Sequence, residues 1–296
     1  MTETAETLRK RMVIPRKYLK PGKIDSIFGS QSQMTTRVKI DAKGRFHLAD
    51  EESKSRVAYL LEKGLTKIPI KVVERDPEWT AFVKSLTNSK RTIYQPITHP
   101  DFQDFRVARG SERLEMIAED LQGQDLKGKK VLDVGSCLGY FARWFNKQGA
   151  HVEGVEEYRS FFNACQKLND VKGTGVEYHQ KDIRKWLQST GKDKLFDIIL
   201  CLSVIHNIAQ SGDPEGAVRA LQTLSEKAPT MYFDIGQEEE GISIKRAGLP
   251  EDLVSGDPEK AARFIKQNTA YTTANVIGQQ KEYCKRNLYK LTRQTK

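Results

Sequence analysis

A strand followed by a glycine-containing turn, at residues 131–141, constrains the fold of this chain more than any other stretch. It reads Val-Leu-Asp-Val-Gly-Ser-Cys-Leu-Gly-Tyr-Phe, and its apolar start, interrupted only by Asp133, is typical of a buried parallel strand. Gly135 and Gly139 predict a tight turn into a helix that begins near Tyr140. At the carboxyl edge of a parallel sheet such a turn brings backbone N–H groups close to a ligand, so the stretch predicts a nucleotide-binding corner.

From residue 129 onward, predicted strands alternate with predicted helices, which favours a doubly wound, mostly parallel sheet of the α/β class. The last two predicted strands, at 272–278 and 287–292, have no helix between them, so we expect an antiparallel pair at the edge of a seven-stranded sheet. The predicted strands before this pair span 131–134, 152–155, 176–179, 196–202 and 230–234. The predicted helices span 141–147, 159–168 and 216–226, with a short one after Asp182.

Two further segments precede this region. Residues 1–90 predict a small basic α+β domain, with strands at 12–15, 37–40 and 68–73 and a helix whose apolar face includes Val57, Leu60 and Leu61. Residues 91–128 predict a connecting segment with a helix near 112–121, which is also a candidate lid over the site. We therefore expect domain boundaries near 90 and 128, with the third domain at 129–296.

The composition limits the class of protein. A chain of 296 residues with 38% hydrophobic content can bury a large core and a smaller companion. Its longest apolar run, 198–202, is too short to span a bilayer, and no apolar leader follows Met1, so a cytoplasmic location is expected. The four cysteines have no Cys-x-x-Cys or Cys/His spacing, so neither a disulfide framework nor a structural zinc is expected.

The net charge of +10 is concentrated near the N-terminus, where residues 1–90 have 19 lysine and arginine side chains against 11 aspartate and glutamate side chains. Seven basic residues and no acidic one lie between Arg9 and Lys23. Such a cluster either contacts phosphate groups of nucleic acid, lipid or an anionic saccharide, or forms a solvated face that keeps the protein in solution. Both interpretations stay open.

The glycine turn differs from the two commonest nucleotide motifs. A dinucleotide fingerprint has Gly-x-Gly-x-x-Gly, but counting from Gly135 this chain has Cys137 and Tyr140 at the second and third glycine positions. The phosphate loop Gly-x-x-x-x-Gly-Lys-Ser/Thr is also missing. These departures argue against NAD, FAD and a P-loop nucleotidase.

Leu132–Gly139 instead resembles motif I of class I S-adenosylmethionine-dependent methyltransferases, a family that usually has a further glycine where this chain has Cys137. Residues 152–156 resemble the second strand, whose terminal acid binds the ribose hydroxyls, and Glu156 follows Asp133 by 23 residues (156 − 133), against roughly 20 expected for a ribose-binding acid. Residues 179–183 resemble the third motif, where an aspartate accepts from the adenine amine. Residues 196–206 resemble the fourth strand and the turn beneath the methyl donor.

The resemblance covers roughly residues 110–296 and implies S-adenosylmethionine as methyl donor, S-adenosylhomocysteine as product, and no metal. Arg106, Arg109 and Arg113 are candidates for binding a carboxylate in the site, with surface arginines as the alternative, and Tyr94-Gln95 is a candidate lid. The cofactor-binding residues it implies are Asp133, Gly135, Ser136, Cys137, Gly139, Tyr140, Glu156, Asp182, Ile183, Cys201 and Ser203, to which we add Tyr94, Gln95 and Arg109.

His206 is the candidate catalytic base. It follows the fourth strand, at the edge where the methyl group is expected, and imidazole titrates near neutral pH. A histidine that only packs or hydrogen-bonds within the substrate loop is the alternative.

The N-terminal part has a weaker resemblance, to the ParB/sulfiredoxin-like fold. It is carried by Phe46–Asp50, Arg56–Ala58 and Ile68–Val72. That family has a glycine and a basic or histidine residue where this chain has acids at 50–52, so phosphate binding by this loop is not expected. The resemblance implies a structural or substrate-presenting module rather than nuclease, kinase or DNA-partition activity.

The chain lacks two motifs of nucleic-acid methyltransferases, which narrows the class of methyl acceptor. The Asn/Asp-Pro-Pro-aromatic motif of amino-methylating nucleic-acid enzymes and a Pro-Cys nucleophile are both missing, whereas residues 202–208 resemble small-molecule methyltransferases and the methyltransferase parts of bacterial polysaccharide-modifying proteins. We expect methyl transfer to an O or N atom of a small-molecule or saccharide-like acceptor. Two alternatives stay open. One is an RNA or DNA methyltransferase or nucleic-acid-binding protein that uses the basic N-terminal module, and the other is a cofactor-binding scaffold without turnover. The oligomeric state also stays open.

A gel shift with tRNA or duplex DNA separates the small-acceptor hypothesis from the nucleic-acid hypothesis. Phosphate binding weakens steeply as salt rises, so a nucleic-acid enzyme should shift these probes at low salt and release them at higher salt. We expect no shift at any salt concentration. A shift that disappears with salt would favour the nucleic-acid alternative.

Overall fold

The computed structural model describes residues 2–4, 36–62, 67–88, 91–191, 193–281 and 285–294. The chain divides into two compact units: Met1–Arg91 with Thr98–Phe105, and Thr92–Ile97 with Arg106–Lys296. The strand predicted at 12–15 lies outside the described residues. The three-part division at 90 and 128 stays a prediction.

The larger unit is built on a twisted sheet that confirms the predicted fold class. Within its described residues the sheet has seven strands: β7 Lys130–Val134, β8 His151–Glu156, β9 Glu177–Gln180, β10 Ile198–Leu202, β11 Thr230–Asp234, β12 Thr273–Gln280 and β13 Arg286–Thr292. Their order in the sheet is β12-β13-β11-β10-β7-β8-β9. The strands from β7 to β11 pair in parallel, and β13 pairs antiparallel with both β11 and β12.

Apolar side chains alternate between the two faces of this sheet and form two separate core clusters. On β7, Leu132 and Val134 pack into one cluster, whereas Val131 packs into the other with Phe141 and Phe145. Burial on both faces is why β7 and β10 are nearly continuous apolar runs. The central strands are therefore fixed in register, and their carboxyl ends lie side by side.

Helices of the larger unit cover both faces of the sheet. They are α3 Ser111–Asp120, α4 Tyr140–Lys147, α5 Arg159–Lys172, α6 Ile183–Ser189, α7 Ile205–Gln210, α8 Pro214–Lys227, α9 Ile242–Lys245, α10 Glu251–Val254 and α11 Pro258–Asn268. Several begin at aspartate caps: Asp182, Asp213 and Asp257 each accept a hydrogen bond from a backbone N–H of the first helical turn. A short parallel pair, β5 Thr92–Ile93 and β6 Arg106–Val107, precedes α3.

The smaller unit has a mixed sheet with the order β1-β4-β2-β3, in which β2 and β4 are parallel and the other pairs antiparallel. Its elements are β1 Thr2–Thr4, β2 Thr36–Ile40, β3 Phe46–Leu48, α1 Glu51–Glu62, β4 Lys67–Arg75 and α2 Pro77–Ser85. Trp79 is fully buried and donates from its indole N–H to Asp101 at 2.8 Å. Helix α2 was not predicted from the sequence, although an aspartate cap, Asp76, followed by a proline as first helical residue, Pro77, is typical of a helix start. The ParB-like resemblance stays a prediction.

Across the described parts of the chain, the helices are too short or too polar to cross a membrane.

Candidate active site

A cavity of about 600 Å³ opens in the larger unit where β7, β8 and β10 end. Its position follows from the fold, because ligands of doubly wound sheets bind beyond the carboxyl ends of the strands. Nine residues that the sequence analysis assigns to the cofactor line it: Tyr94, Gln95, Asp133, Gly135, Cys137, Glu156, Asp182, Ile183 and Ser203.

The glycine turn has three residues in the left-handed region: Gly135 and Gly139 at φ 68° and Cys137 at φ 52°. A Cβ on Gly135 would lie 2.7 Å from Cγ2 of Val204, so this position also needs glycine for space. Cys137 takes the conformation that the family's further glycine would adopt freely. Non-glycine residues visit this region at a cost of roughly 1–2 kcal/mol, so the loop shape is kept although the residue differs.

Glu156 connects the ends of β7 and β8. Its Oε2 accepts from the backbone N–H of Cys137 and its Oε1 from that of Tyr158, both at 2.8 Å. Burial is the main reason that the pKa of its carboxyl is raised. The two N–H donors fix the direction of the carboxylate, which faces the cavity with acceptor lone pairs left over.

Asp133 places a second carboxyl on the cavity wall. Its Oδ2 is buried and has no hydrogen-bond partner among the described residues. Burial first, with the nearby charge of Glu156 adding to it, raises the pKa of Asp133 to about 7. A buried carboxylate oxygen without a partner is unfavourable, so the site is suited to a group that brings a positive charge to Oδ2 of Asp133.

Arg113, on α3, places a guanidinium on the same cavity. Its Nη1 donates to Asp234 at 2.7 Å and to Ser203 at 3.1 Å, and its guanidinium lies 5.6 Å from the centre of the Phe141 ring. Its Nε is buried without a partner in the described structure. An unpartnered carboxylate oxygen and an unpartnered guanidinium N–H on one cavity are complementary to the ammonium and carboxylate of an α-amino acid.

Comparison with known proteins agrees with this geometry. Residues 132–227 match the family described as "Methyltransferase domain". This part of the chain has the sequence features of a methyltransferase domain. The crystal structure of WbdD superposes with a TM-score of 0.56 at 22% identity, covering 71% of this chain and 46% of that one, which shows the shared fold.

Two curated relatives are similar to part of this chain. The ubiquinone biosynthesis O-methyltransferase of Pasteurella multocida strain Pm70 is 30% identical over 128 residues, which is 41% of this chain and 51% of the relative. The O-antigen chain terminator bifunctional methyltransferase/kinase WbdD of Escherichia coli is 22% identical over 182 residues, 59% of this chain and 26% of the relative. The chain therefore spans about half of the first relative and about a quarter of the second.

Arg109, which was preferred over Arg113 from the sequence, lies before α3 in the larger unit. Its guanidinium is 5.8 Å from the centre of the Tyr94 ring, and it does not line the cavity. Tyr94 does line the cavity and is 37% exposed. Arg109 therefore contacts the candidate lid residue Tyr94 and does not line the cavity.

Gln95 supports the glycine turn. Its side chain is buried, and Oε1 accepts from the backbone N–H groups of Leu138 at 3.0 Å and Tyr140 at 3.4 Å. These are donors at the start of α4 that have no partner within the helix. Gln95 therefore caps α4 from a distant part of the sequence.

Asp182 caps α6 through the backbone N–H of Arg184 at 2.7 Å. The hydrogen bonds from Arg184 hold the pKa of Asp182 below its ordinary value. With Ile183, it forms the cavity wall that follows β9. This is the place that the resemblance assigns to the adenine amine and ring.

A buried network that the sequence analysis missed surrounds Ser203. Its backbone N–H and its hydroxyl donate to Oδ1 of Asp234, at 2.8 Å and 3.0 Å, and its Oγ accepts from Nη1 of Arg286 at 2.7 Å. Arg286 also binds Glu240 through two contacts of 2.5 Å. Although burial opposes it, the guanidinium groups of Arg113 and Arg286 hold the pKa of Asp234 below its ordinary value. The one sequence signal was Asp234, the polar end of a predicted strand.

The remaining predicted residues lie beside the cavity rather than on its wall. Ser136 donates to the carbonyl of Asp133 at 3.0 Å, Gly139 and Tyr140 lie where the turn enters α4, and Cys201 is fully buried in β10. His206, on α7, is buried, and its Nδ1 lies 3.0 Å from the backbone nitrogen of Gly236. Burial, followed by the charge of Arg286, lowers the pKa of His206 to about 4.

One cluster among the described residues has the composition of a metal site. Glu153, Glu177 and His179 bring their ligand atoms within 4.8 Å of one another on β8 and β9. However, Nζ of Lys194 already lies 2.5 Å from Oε2 of Glu153, which supplies the compensating charge. The contacts fit a partly exposed ion-pair cluster.

Replacing Gly135 with alanine tests whether the tight turn supports ligand binding. Gly173 is the matched control, because its φ of 59° is similar and its added Cβ would meet nothing within 4 Å. We expect Gly173→Ala to lower the free energy of unfolding by roughly 1 kcal/mol through backbone strain alone. Gly135→Ala should lower it by roughly 1–3 kcal/mol more, because of the overlap with Val204, and weaken S-adenosylmethionine binding at least tenfold by calorimetry. Equal effects of the two variants on binding would contradict the assignment.

Proposed function

We propose that this chain is an S-adenosylmethionine-dependent methyltransferase that transfers a methyl group to an O or N atom of a small-molecule or saccharide-like acceptor. The observation that carries the proposal is the pair of unpartnered buried atoms, Oδ2 of Asp133 and Nε of Arg113, on one cavity at the carboxyl edge of the sheet. They complement the two charged groups of the methionine part of the cofactor.

The other lining residues fit the rest of the cofactor. The fixed carboxylate of Glu156 is suited to two neighbouring ribose hydroxyl groups, and Asp182 with Ile183 to the amine and ring of adenine. A cavity of about 600 Å³ is within the size range of small-molecule and cofactor sites. The wall thus offers partners for the amino-acid, ribose and adenine parts of S-adenosylmethionine.

Bound S-adenosylmethionine supplies an electrophilic methyl group, so the protein mainly has to bind and orient the reactants. Asp133 and Arg113 hold the two ends of the amino-acid part. Val204, Asn207 and Ile208 form the wall next to Ser203. Asp133 and Arg113 are themselves buried, and low-dielectric surroundings strengthen the interactions of their charges.

The acceptor class is supported by the relatives' names. The Pasteurella relative is named an O-methyltransferase of ubiquinone biosynthesis, and the Escherichia coli relative an O-antigen chain terminator. One name indicates a small molecule and the other a saccharide. This agrees with the resemblance of residues 202–208, and we therefore favour an oxygen acceptor.

The function is tested by incubating the protein with methyl-labelled S-adenosylmethionine and fractionated metabolites and saccharides. We expect label to enter at least one fraction and S-adenosylhomocysteine to form in equal amount. Glu156→Ala should reduce both by tenfold or more through loss of ribose binding, which corresponds to about 1.4 kcal/mol. No label transfer and no S-adenosylhomocysteine in any fraction or in a cell extract would contradict turnover and leave a cofactor-binding scaffold.

The pKa of Asp133 predicts the pH dependence of cofactor binding. A carboxyl whose pKa is about 7 changes from mostly protonated at pH 6 to mostly ionised at pH 8, and only the ionised form attracts an ammonium group. The dissociation constant of S-adenosylmethionine should therefore fall several-fold from pH 6 to about pH 7.5. Asp133→Asn should bind roughly 10–100-fold more weakly, the range for a lost charged hydrogen bond, and without this pH dependence.

The control for that measurement is Asp170→Asn, an exposed change on α5 away from the cavity. It should bind like the unmodified protein at every pH. A dissociation constant for the unmodified protein that stays constant from pH 6 to pH 7.5 would contradict the role of Asp133.

A further inference from the structure

We propose that His206 is a positioning residue that ties α7 to the segment after β11 through Nδ1, and that it is not the base of the reaction. This inference rests on the proposed function for its catalytic consequence, but its structural part can be tested without turnover. It replaces the role that the sequence alone suggested for this histidine.

The hydrogen bond to Gly236 fixes the tautomer of His206. A backbone N–H can only donate, so Nδ1 of His206 is the acceptor in the 3.0 Å contact. In the neutral imidazole the proton therefore lies on Nε2. A ring in this state has its one basic nitrogen occupied by Gly236 and presents only an N–H elsewhere, so it cannot take a proton from an acceptor.

Protonation of His206 is disfavoured by its surroundings. The ring is buried, and a proton on Nδ1 would break the bond to Gly236. The charged groups that face it are Arg286 on β13 and Arg109 before α3, which oppose a positive charge, and Asp234 on β11 and Glu240 after it, which favour one. Burial and the arginines prevail, so His206 stays neutral through the physiological pH range.

The bond joins the segment after β10, which lines the cavity, to the loop after β11. His206 belongs to the helix that begins directly after β10 and Val204, and two of its neighbours in that helix, Asn207 and Ile208, line the cavity. Gly236 follows β11, whose last residue is Asp234. The approach is close, because a Cβ on Gly236 would lie 3.2 Å from Cγ of His206 and 2.4 Å from Cδ1 of Ile244. His206 therefore sets the distance between the two loops.

The first test is a two-bond proton–nitrogen NMR correlation of the imidazole in the unmodified protein. We expect Nδ1 to be unprotonated and Nε2 protonated, with signals that do not change from pH 5.5 to pH 8. A proton on Nδ1, or a titration of the ring within this range, would overturn the proposal. This outcome does not depend on whether the protein binds S-adenosylmethionine, so it separates a failure of this inference from a failure of the proposed function.

The second test compares three variants in the fraction that accepts label from methyl-labelled S-adenosylmethionine. The amide oxygen of asparagine can occupy the position of Nδ1, whereas that of glutamine reaches the position of Nε2 and alanine has no acceptor. We expect His206→Asn to keep the turnover number within about threefold of the unmodified protein. His206→Gln and His206→Ala should lower the turnover number tenfold or more, and a tenfold loss corresponds to about 1.4 kcal/mol. The pH profile of the turnover number should be the same for His206→Asn and the unmodified protein.

A base would behave differently in these variants. All three substitutions would then abolish transfer, and asparagine would not restore it. Loss of more than a hundredfold in His206→Asn, with unchanged S-adenosylhomocysteine affinity and melting temperature, would overturn the proposal. Full activity in His206→Ala would also overturn it, because the bond to Gly236 would then be dispensable.

Discussion

The buried carboxylate of Asp234 is the interaction on which the candidate site depends. It binds guanidinium groups from α3 and β13, and it fixes Ser203 at the end of β10. Removal of one member of a buried ion pair typically costs roughly 3–5 kcal/mol, because the partner charge is left without compensation. The network therefore holds three separate parts of the chain together, and by using the Nη1 atom of Arg113 it leaves Nε free for a ligand.

Residues close in sequence to the glycine turn were predictable, because their roles follow from local patterns and from their spacing to the turn. The parallel strands follow from their apolar runs, and Glu156 follows from the length of one strand-helix-strand unit. The choice between Arg109 and Arg113 was not predictable, because both lie just before or within one short helix and its rotation is set by packing. The contribution of Arg286 was not predictable, because the predicted strand began one residue after it and its approach to Asp234 depends on the pairing of β13 with β11, which lies far away in the sequence.

Two helices after β11, α9 and α10, had no prediction because they are short. They have four residues each, fewer than the two turns over which an apolar periodicity can be recognised. Cys137 shows the opposite situation. Its side chain departs from the family pattern, yet its backbone adopts the left-handed conformation, because the N–H that binds Glu156 and the packing of the turn determine the shape of the loop. Tertiary contacts can thus keep a loop conformation that the residue itself disfavours.

The path of the chain between the two units restricts how they can be separated. Residues 92–97 belong to the larger unit, whereas 98–105 return to the smaller one, so neither unit is a continuous piece of sequence. A fragment that begins at Arg106 lacks Gln95, and the first amide groups of α4 would then lose their acceptor. It would also lack β5, the partner of β6. Each unit is therefore made of two separate stretches of sequence, and a single proteolytic cut would release neither unit intact.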